Sequence, residues 1–351
     1  MLERLPEPEP DGRRYRLTVD LPPDFALNQP LSTFALAAVE LLDPASETFA
    51  RDVVSVIEAT LEDPRQILSA QLKKARGEAV AAMKAEGIEY DERIELLDDI
   101  TYPRPLDELL THCFEVYCRS NPWAADGHPA PKSVVREMWE QGLTFKEYVS
   151  AYGLTRTEGA VLRYLSDAFK ALRSGVPAAA RTDELTDIVE WLGELVRQVD
   201  SSLLDEWEQL TSADQVDDVP VMAPVRPLTG NERAFTAMVR NALFRRVELW
   251  ARRRWDELGT LDTGSGWTAE RWQTVGEQYF AEHDDIGTGA DARGPAMLIF
   301  DRAPGVWRIR QILDDPAHDH DWGMDVEVDL AASDDDGAPV IRVVDAGLFV
   351  S

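Results

Sequence analysis

From Leu31 onward the apolar positions fall at the three-and-four spacing of helices that bury one face. "LSTFALAAVELLD" places Phe34, Leu36, Ala37, Val39, Leu41 and Leu42 at that spacing, with Ser32 or Thr33 as cap. "SETFARDVVSVIEATL" follows with Ser46 as cap, and "PRQILSAQLKKARGEAVAAMKAEG" reads as a long helix ending near Gly87. "IEYDERIELLDDI", "LDELLTHCFEVYCRS" and "PKSVVREMWEQG" predict three more, the last from Lys132 to Gly142. In "YGLTRTEGAVLRYLSDAFKALR", Thr155 and Glu158 have the capping-box spacing, and Val161, Leu162, Leu165, Ala168, Phe169 and Leu172 form one buried stripe. A second amphipathic run, from Asp183 to Leu210, completes a helical hairpin.

The pattern changes after "TSADQVDDVPVMAPVRPLTG", which is rich in proline and acid and has no period. "NERAFTAMVRNALFRRVELWARRRWDELG" predicts one long helix capped by Asn231, and "TAERWQTVGEQYFAEHDDI" a second capped by Thr268. "PAMLIFD", "VWRIRQILDD", "WGMDVEVDLAAS" and "APVIRVVDAG" then read as strands, with "SDDDGA" as a hairpin turn on its Asp-Gly signal. The fold class is therefore α+β: a helical bundle followed by a smaller α+β part. The division is an extended segment over 1–30, helices over 31–212, a linker over 213–230 and the α+β part over 231–351. "YRLTVDL" is the one strand-like stretch in the first segment.

Composition adds limits. The 351 residues carry a formal charge of -29, 65 acidic against 36 basic, so any nucleic-acid contact must be local or assisted by a partner. No apolar run is long enough to span a bilayer, and the N-terminus lacks the apolar core of a signal peptide, which predicts a cytoplasmic chain without membrane contact. Cys113 and Cys118 stand without a histidine at zinc spacing and read as buried thiols of a reducing compartment.

Motor chemistry is absent. No Gly-Lys dipeptide occurs, so there is no phosphate-cradling loop of the Walker type, and there is no Gly-x-Ser-x-Gly. Three groups of residues remain. Arg156 and Arg163 lie on the capped helix, Arg156 in a first turn that disfavours a cation. Arg245 and Arg252 fall on the far side of the 231–258 helix, and Arg246 and Arg253 flank its core stripe of Val239, Leu243, Val247 and Trp250. These basic ridges suit phosphate or an acidic partner. In "DDPAHDHDWGMD", His318, His320 and Asp321 are the side chains that would hold a metal, with Asp314, Asp315, Asp319 and Asp325 nearby. Two imidazoles at i and i+2 converge only on a shared strand face, and this segment reads as a solvated loop, so no metal is assigned. The ten tryptophans read as core with few exceptions.

"EYVSAYGLTRTEGAVLRYLSDAFKALR" followed by "LTDIVEWLGELVRQVDSSLLDEWEQL" resembles the C-terminal helical region of superfamily 2 DEAD/DEAH-box helicases of the Ski-two-like kind. "LPPDFALNQPLSTFALAAVELLD" and "DVVSVIEATLEDPRQILSAQ" look like the same region in actinobacterial helicases, which carry a C-terminal domain of unknown function. The resemblance implies a module that packs on RecA-like motor domains, in the same chain or another, and contacts single-stranded RNA or DNA. ATP and magnesium would belong to the motor, and this chain would have no cofactor and no catalysis of its own. The C-terminal part is similar, by element order, to the nuclear transport factor 2-like, cystatin-type antiparallel sheet. Two alternatives stand beside the helicase module: a protein-interaction scaffold whose acidic surface repels nucleic acid, and a small-molecule binding or enzymatic cup in the α+β part.

Overall fold

The computed structural model describes residues 2–4, 15–17, 31–200, 227–289 and 291–349. Leu2–Arg4 (β1) and Tyr15–Leu17 (β2) pair antiparallel. The expected helix beyond Asp200 and most of the expected linker lie outside the described residues, and the linker's last residues form a turn that buries Leu228.

The bundle is built around α2 (Phe49–Thr60), ten of whose twelve residues are buried. It packs against α1 (Ser32–Val39), α6 (Val135–Glu140), α8 (Glu158–Gly175) and α9 (Asp183–Val199). The remaining helices are α3 (Arg65–Ala85), α4 (Tyr90–Asp98), α5 (Asp107–Ser120) and α7 (Phe145–Ala151). The α8–α9 hairpin forms as its apolar stripes require: Val161, Leu165, Ala168, Ile188, Leu192 and Val196 are all buried.

The centre of the bundle is polar as well as apolar. Glu58 of α2 is fully buried and accepts the N–H groups of Val134, Val135 and Arg136 at 2.9, 3.0 and 3.2 Å, and the Tyr164 hydroxyl at 2.8 Å. It thus satisfies the open N-terminus of α6 from another helix. Burial pushes its carboxyl up, against the pull of those donors. Lys132 does not start a helix as expected. It is fully buried, bonded to the carbonyls of Leu61 and Ala130 and paired with Asp63 at 3.0 Å.

α10 (Glu232–Ala251) packs on α9 and, through Phe235 edge-on to Trp307 at 5.1 Å, on the sheet. α11 (Trp255–Leu261) and α12 (Ala269–Glu282) follow. Strands β3 (Leu298–Ala303), β4 (Val306–Ile312), β5 (Trp322–Asp329) and β6 (Val340–Leu348) form an antiparallel sheet in sequence order. Alternation turns Trp307, Ile309, Met324, Val326, Val328 and Val343 inward. Arg310 and Asp325, opposite in register, form a bidentate pair at 2.7 and 2.8 Å. One hydrophobic cluster runs from Leu31 to Ala346, across both halves.

The local structure departs from the pattern at several points. The helix expected over 231–258 breaks. Arg253 takes a left-handed φ of 56°, Arg254 N–H bonds Leu249 O and Arg253 N–H bonds Trp250 O, a Schellman stop with arginine where glycine is usual. The Arg253 guanidinium lies 4.0 Å over the Phe280 ring. "SDDDGA" is no hairpin turn: Leu330–Asp336 forms α13, capped by Asp329, with Gly337 left-handed at its end. The capping box expected at Thr155 and Glu158 does not form. Thr155–Thr157 is a 3-10 turn and α8 starts at Glu158 without a side-chain cap. The box forms instead at Thr144 and Glu147, the start of α7. Neither Ser32 nor Thr33 caps α1, and Ser46 binds the N–H of Thr48 just before α2. Cys113 and Cys118 are free and half-buried. Trp123 is the exposed tryptophan among the described residues. Among those residues no helix is long and apolar enough to cross a membrane.

Candidate nucleic-acid interface

α7 ends in a Schellman stop: Leu154 N–H bonds Val149 O at 2.8 Å, Gly153 N–H bonds Ser150 O, and Gly153 takes a φ of 63°. The chain then enters the Thr155–Thr157 turn, where Thr157 N–H bonds Leu154 O. Gly153–Thr157 forms one wall of an open groove of about 750 Å³; Arg65, Gln66 and Ser69, at the start of α3, form the other. Apart from Gly153 and buried Leu154, the residues along it are of polar type, with Arg65 and Arg156 both exposed.

α3 brings a row of cations to this place. Its N-terminus has no side-chain cap and no acid within the first turn, though Glu62 and Asp63 stand just before its N-cap Pro64. Its inner face, Ile67, Leu68 and Gln71, is buried, and Gln71 donates to Ser133 O, Glu137 and the Tyr148 hydroxyl at 2.6, 2.8 and 3.2 Å. Burial drives the Tyr148 hydroxyl far above the usual tyrosine range, so it stays protonated in this network. At 100° per residue Arg65, Ser69, Lys73 and Arg76 share the outer face. Arg65, Lys73 and Arg76 are exposed and form no ion pair among the described residues. Lys74 lies 4.6 Å over the Tyr152 ring.

The candidates read from the sequence separate on this ground. Arg156 lines the groove. Arg163 is exposed on α8 without an ion pair among the described residues, its charge acting on Asp167 one turn on. Arg245 is held at 2.7 Å by Glu147, and Arg252 lies 4.0 Å from Glu248. Arg246 is buried in a bidentate pair with Asp262, Nη2 to Oδ1 at 2.6 Å and Nε to Oδ2 at 3.2 Å. Sequence reasoning missed Arg65, Lys73 and Arg76. The run "RQILSAQLKKAR" holds four of the five basic residues of α3, against one acid in the whole helix, and this local excess was the available signal.

A second, more enclosed cavity of about 450 Å³ lies where α9, α10 and the sheet meet. Four of its lining residues present buried polar atoms without a partner: Trp139 Nε1, Arg240 Nε, Asn241 Nδ2 and Gln311 Oε1. Arg233 and Arg240 share Asp187 at 3.0 and 3.2 Å, and burial pushes the nearby Glu184 carboxyl up. His318 and His320 lie in the β4–β5 connection, outside any strand, and converge on Asp314. Asp321, the third metal candidate read from the sequence, is not in that cluster.

A helical bundle closed by a four-stranded antiparallel sheet, with a basic groove on an acidic surface, is thus the class of molecule that the geometry defines. The profile of the family described as a domain of unknown function (DUF3516) matches residues 1–346, and the chain belongs to that family. No curated protein and no solved structure matches it.

Proposed function

We propose that this chain is an accessory module of an ATP-dependent helicase of the DEAD/DEAH-box kind, which packs on the motor domains and guides a single strand along the groove between α3 and the Thr155–Thr157 turn. One observation carries the reading: on a chain of charge -29, Arg65 and Arg156 at this groove form no ion pair among the described residues. Arg65 and Arg156 grip phosphates from opposite walls, and Lys73 and Arg76 continue the track along α3. Acidic surface elsewhere repels the strand and confines it to the groove. The resemblance of the α8–α9 hairpin to the helical region of such helicases supports the same reading. Docking on the motor uses α4, which has no buried residue and leaves Tyr90, Ile94 and Leu96 exposed. ATP and magnesium are bound by the motor, in the same gene product or another.

The test is fluorescence anisotropy with labelled single-stranded RNA and DNA, titrated from low to physiological salt. Binding whose log K falls with log salt at a slope of about -3, the value for four phosphates on a single strand, is the expected result. An Arg65→Glu, Arg156→Glu pair should abolish it. Binding indifferent to both substitutions, or no binding by the chain alone and by the chain with its motor, overturns the reading.

The enclosed cavity favours a second reading, a small-molecule cup. Three unpaired donors and one unpaired acceptor, among charges that balance, suit an uncharged ligand with both hydrogen-bonding senses. A thermal-shift screen of neutral heterocycles tests it: stabilisation lost in Asn241→Leu supports it, and no shift with any compound removes it.

A further inference from the structure

We propose that the β4–β5 connection is a zinc site, with Asp314, His318 and His320 as protein ligands and a fourth position open to solvent. Outside a strand, histidines at i and i+2 do not share a face. Here both residues adopt left-handed backbone, with φ of 58° at His318 and 54° at His320. The result turns both rings toward one carboxylate oxygen: His318 Nδ1 lies 3.7 Å and His320 Nε2 3.6 Å from Asp314 Oδ1. The three ligand atoms all lie within 4.8 Å of one another. Zinc–ligand bonds of about 2.0–2.1 Å in a tetrahedron set ligand atoms about 3.3 Å apart, so closure on an ion needs a few tenths of an ångström along the two edges from Asp314 and at most about 1.5 Å along the edge between the imidazoles.

The surroundings hold this arrangement in place. Asp315 is buried and accepts the N–H of Asp319 at 3.1 Å and of His320 at 2.7 Å, and His318 N–H bonds Asp315 O at 3.0 Å. The strained turn is therefore fixed from below by one carboxylate. Asp314 is fixed from the other side. Its carbonyl accepts the N–H of Gly287 at 2.7 Å, and its Oδ2 lies so close to Gly287 that a Cβ there would meet it at 2.3 Å. Only glycine admits the carboxylate in this orientation, which leaves Oδ1 facing the two imidazoles. Asp321 Oδ1, next along the loop, is buried without a hydrogen-bond partner and adds negative potential. Two imidazoles and a carboxylate are a donor set for zinc rather than for calcium or magnesium, which take oxygen. Three protein ligands with an open position mark an exchangeable or substrate-accessible ion rather than a closed structural one.

The test is isothermal titration of the chain with zinc chloride, backed by the visible spectrum of cobalt(II), which reports tetrahedral coordination. One equivalent of zinc should bind, and Asp314→Asn, His318→Ala and His320→Ala should each weaken it at least tenfold. His128→Ala and a Cys113→Ser, Cys118→Ser double variant should leave it unchanged. Metal-free unfolding of each ligand variant separates loss of the site from loss of the fold. No zinc binding, or binding that follows the cysteines or survives all three ligand substitutions, overturns the proposal. Strand binding is measured apart from this, so the two readings fail independently.

Discussion

α3 and α10 are both long helices with several basic residues, yet they use them in opposite ways. On α10 every arginine meets a carboxylate: Arg233 and Arg240 share Asp187, Arg245 takes Glu147, and Arg246 takes Asp262. Two of those partners lie in the helical half, so α10 spends its charge joining the halves of the molecule. On α3 none of Arg65, Lys73, Lys74, Arg76 and Lys84 meets a carboxylate among the described residues. Counting basic residues does not distinguish a helix that satisfies its charges within the fold from one that leaves them open; counting their partners does.

Breaking the α10 side should have the largest effect. Arg246→Met leaves the fully buried Asp262 carboxylate unpaired and should cost about 3–5 kcal/mol in urea unfolding. Replacing both partners by apolar residues should restore much of that loss. Next comes the α3 side. Arg65→Glu, Lys73→Glu and Arg76→Glu together should weaken single-strand binding by about 100-fold at low salt and flatten its salt slope. Each alone should shift stability by less than about 0.5 kcal/mol, because none is packed.

The acid limb of unfolding sharpens the contrast at Glu147. Burial works to raise its carboxyl, but the Arg245 guanidinium and the bonds from Thr144 outweigh that and hold it below the ordinary value of 4.5. Its contribution is therefore present above that value and lost as pH falls through the lower folded one. Glu147→Gln should cost about 1 kcal/mol at neutral pH and make the acid limb shallower, which thermal unfolding between pH 3 and 7, on the order of the usual carboxylate range and above, would record. The smallest pair of effects compares the two Thr-x-x-Glu sequences. Thr144→Ala should cost about 1 kcal/mol and Thr155→Ala almost nothing, since only the first closes a capping box.

That last pair shows where legibility in the sequence ended. The α+β plan and the buried stripes were readable because period 3.6 and period 2 are set by the core. Which Thr-x-x-Glu serves as a cap was not, because the Schellman stop at Gly153 leads directly into a 3-10 turn. The break at Arg253 was hidden by an arginine in the position where glycine would have announced it. α13 had its signals, Asp329 before it and Gly337 after it, but the Asp-Gly pair read more strongly as a hairpin. Arg156 could be singled out because its charge ran against a helix terminus. The α3 face was obscured by a net charge summed over the whole chain. Asp314 could not be joined to His318 and His320, because spacing does not reveal left-handed backbone at two histidines.

α7 is seven residues long, about 10 Å of rise, and is fastened at both ends. At its start Glu147, closed into a box with Thr144, is clasped to Arg245; at its end Gly153 and Leu154 become the wall of the groove. A pull on anything lying against Arg156 is therefore carried along a short, stiff strut into α10, and from α10 into the sheet. The groove wall belongs to the frame, and tension applied there is shared by the halves of the molecule rather than absorbed by a yielding loop.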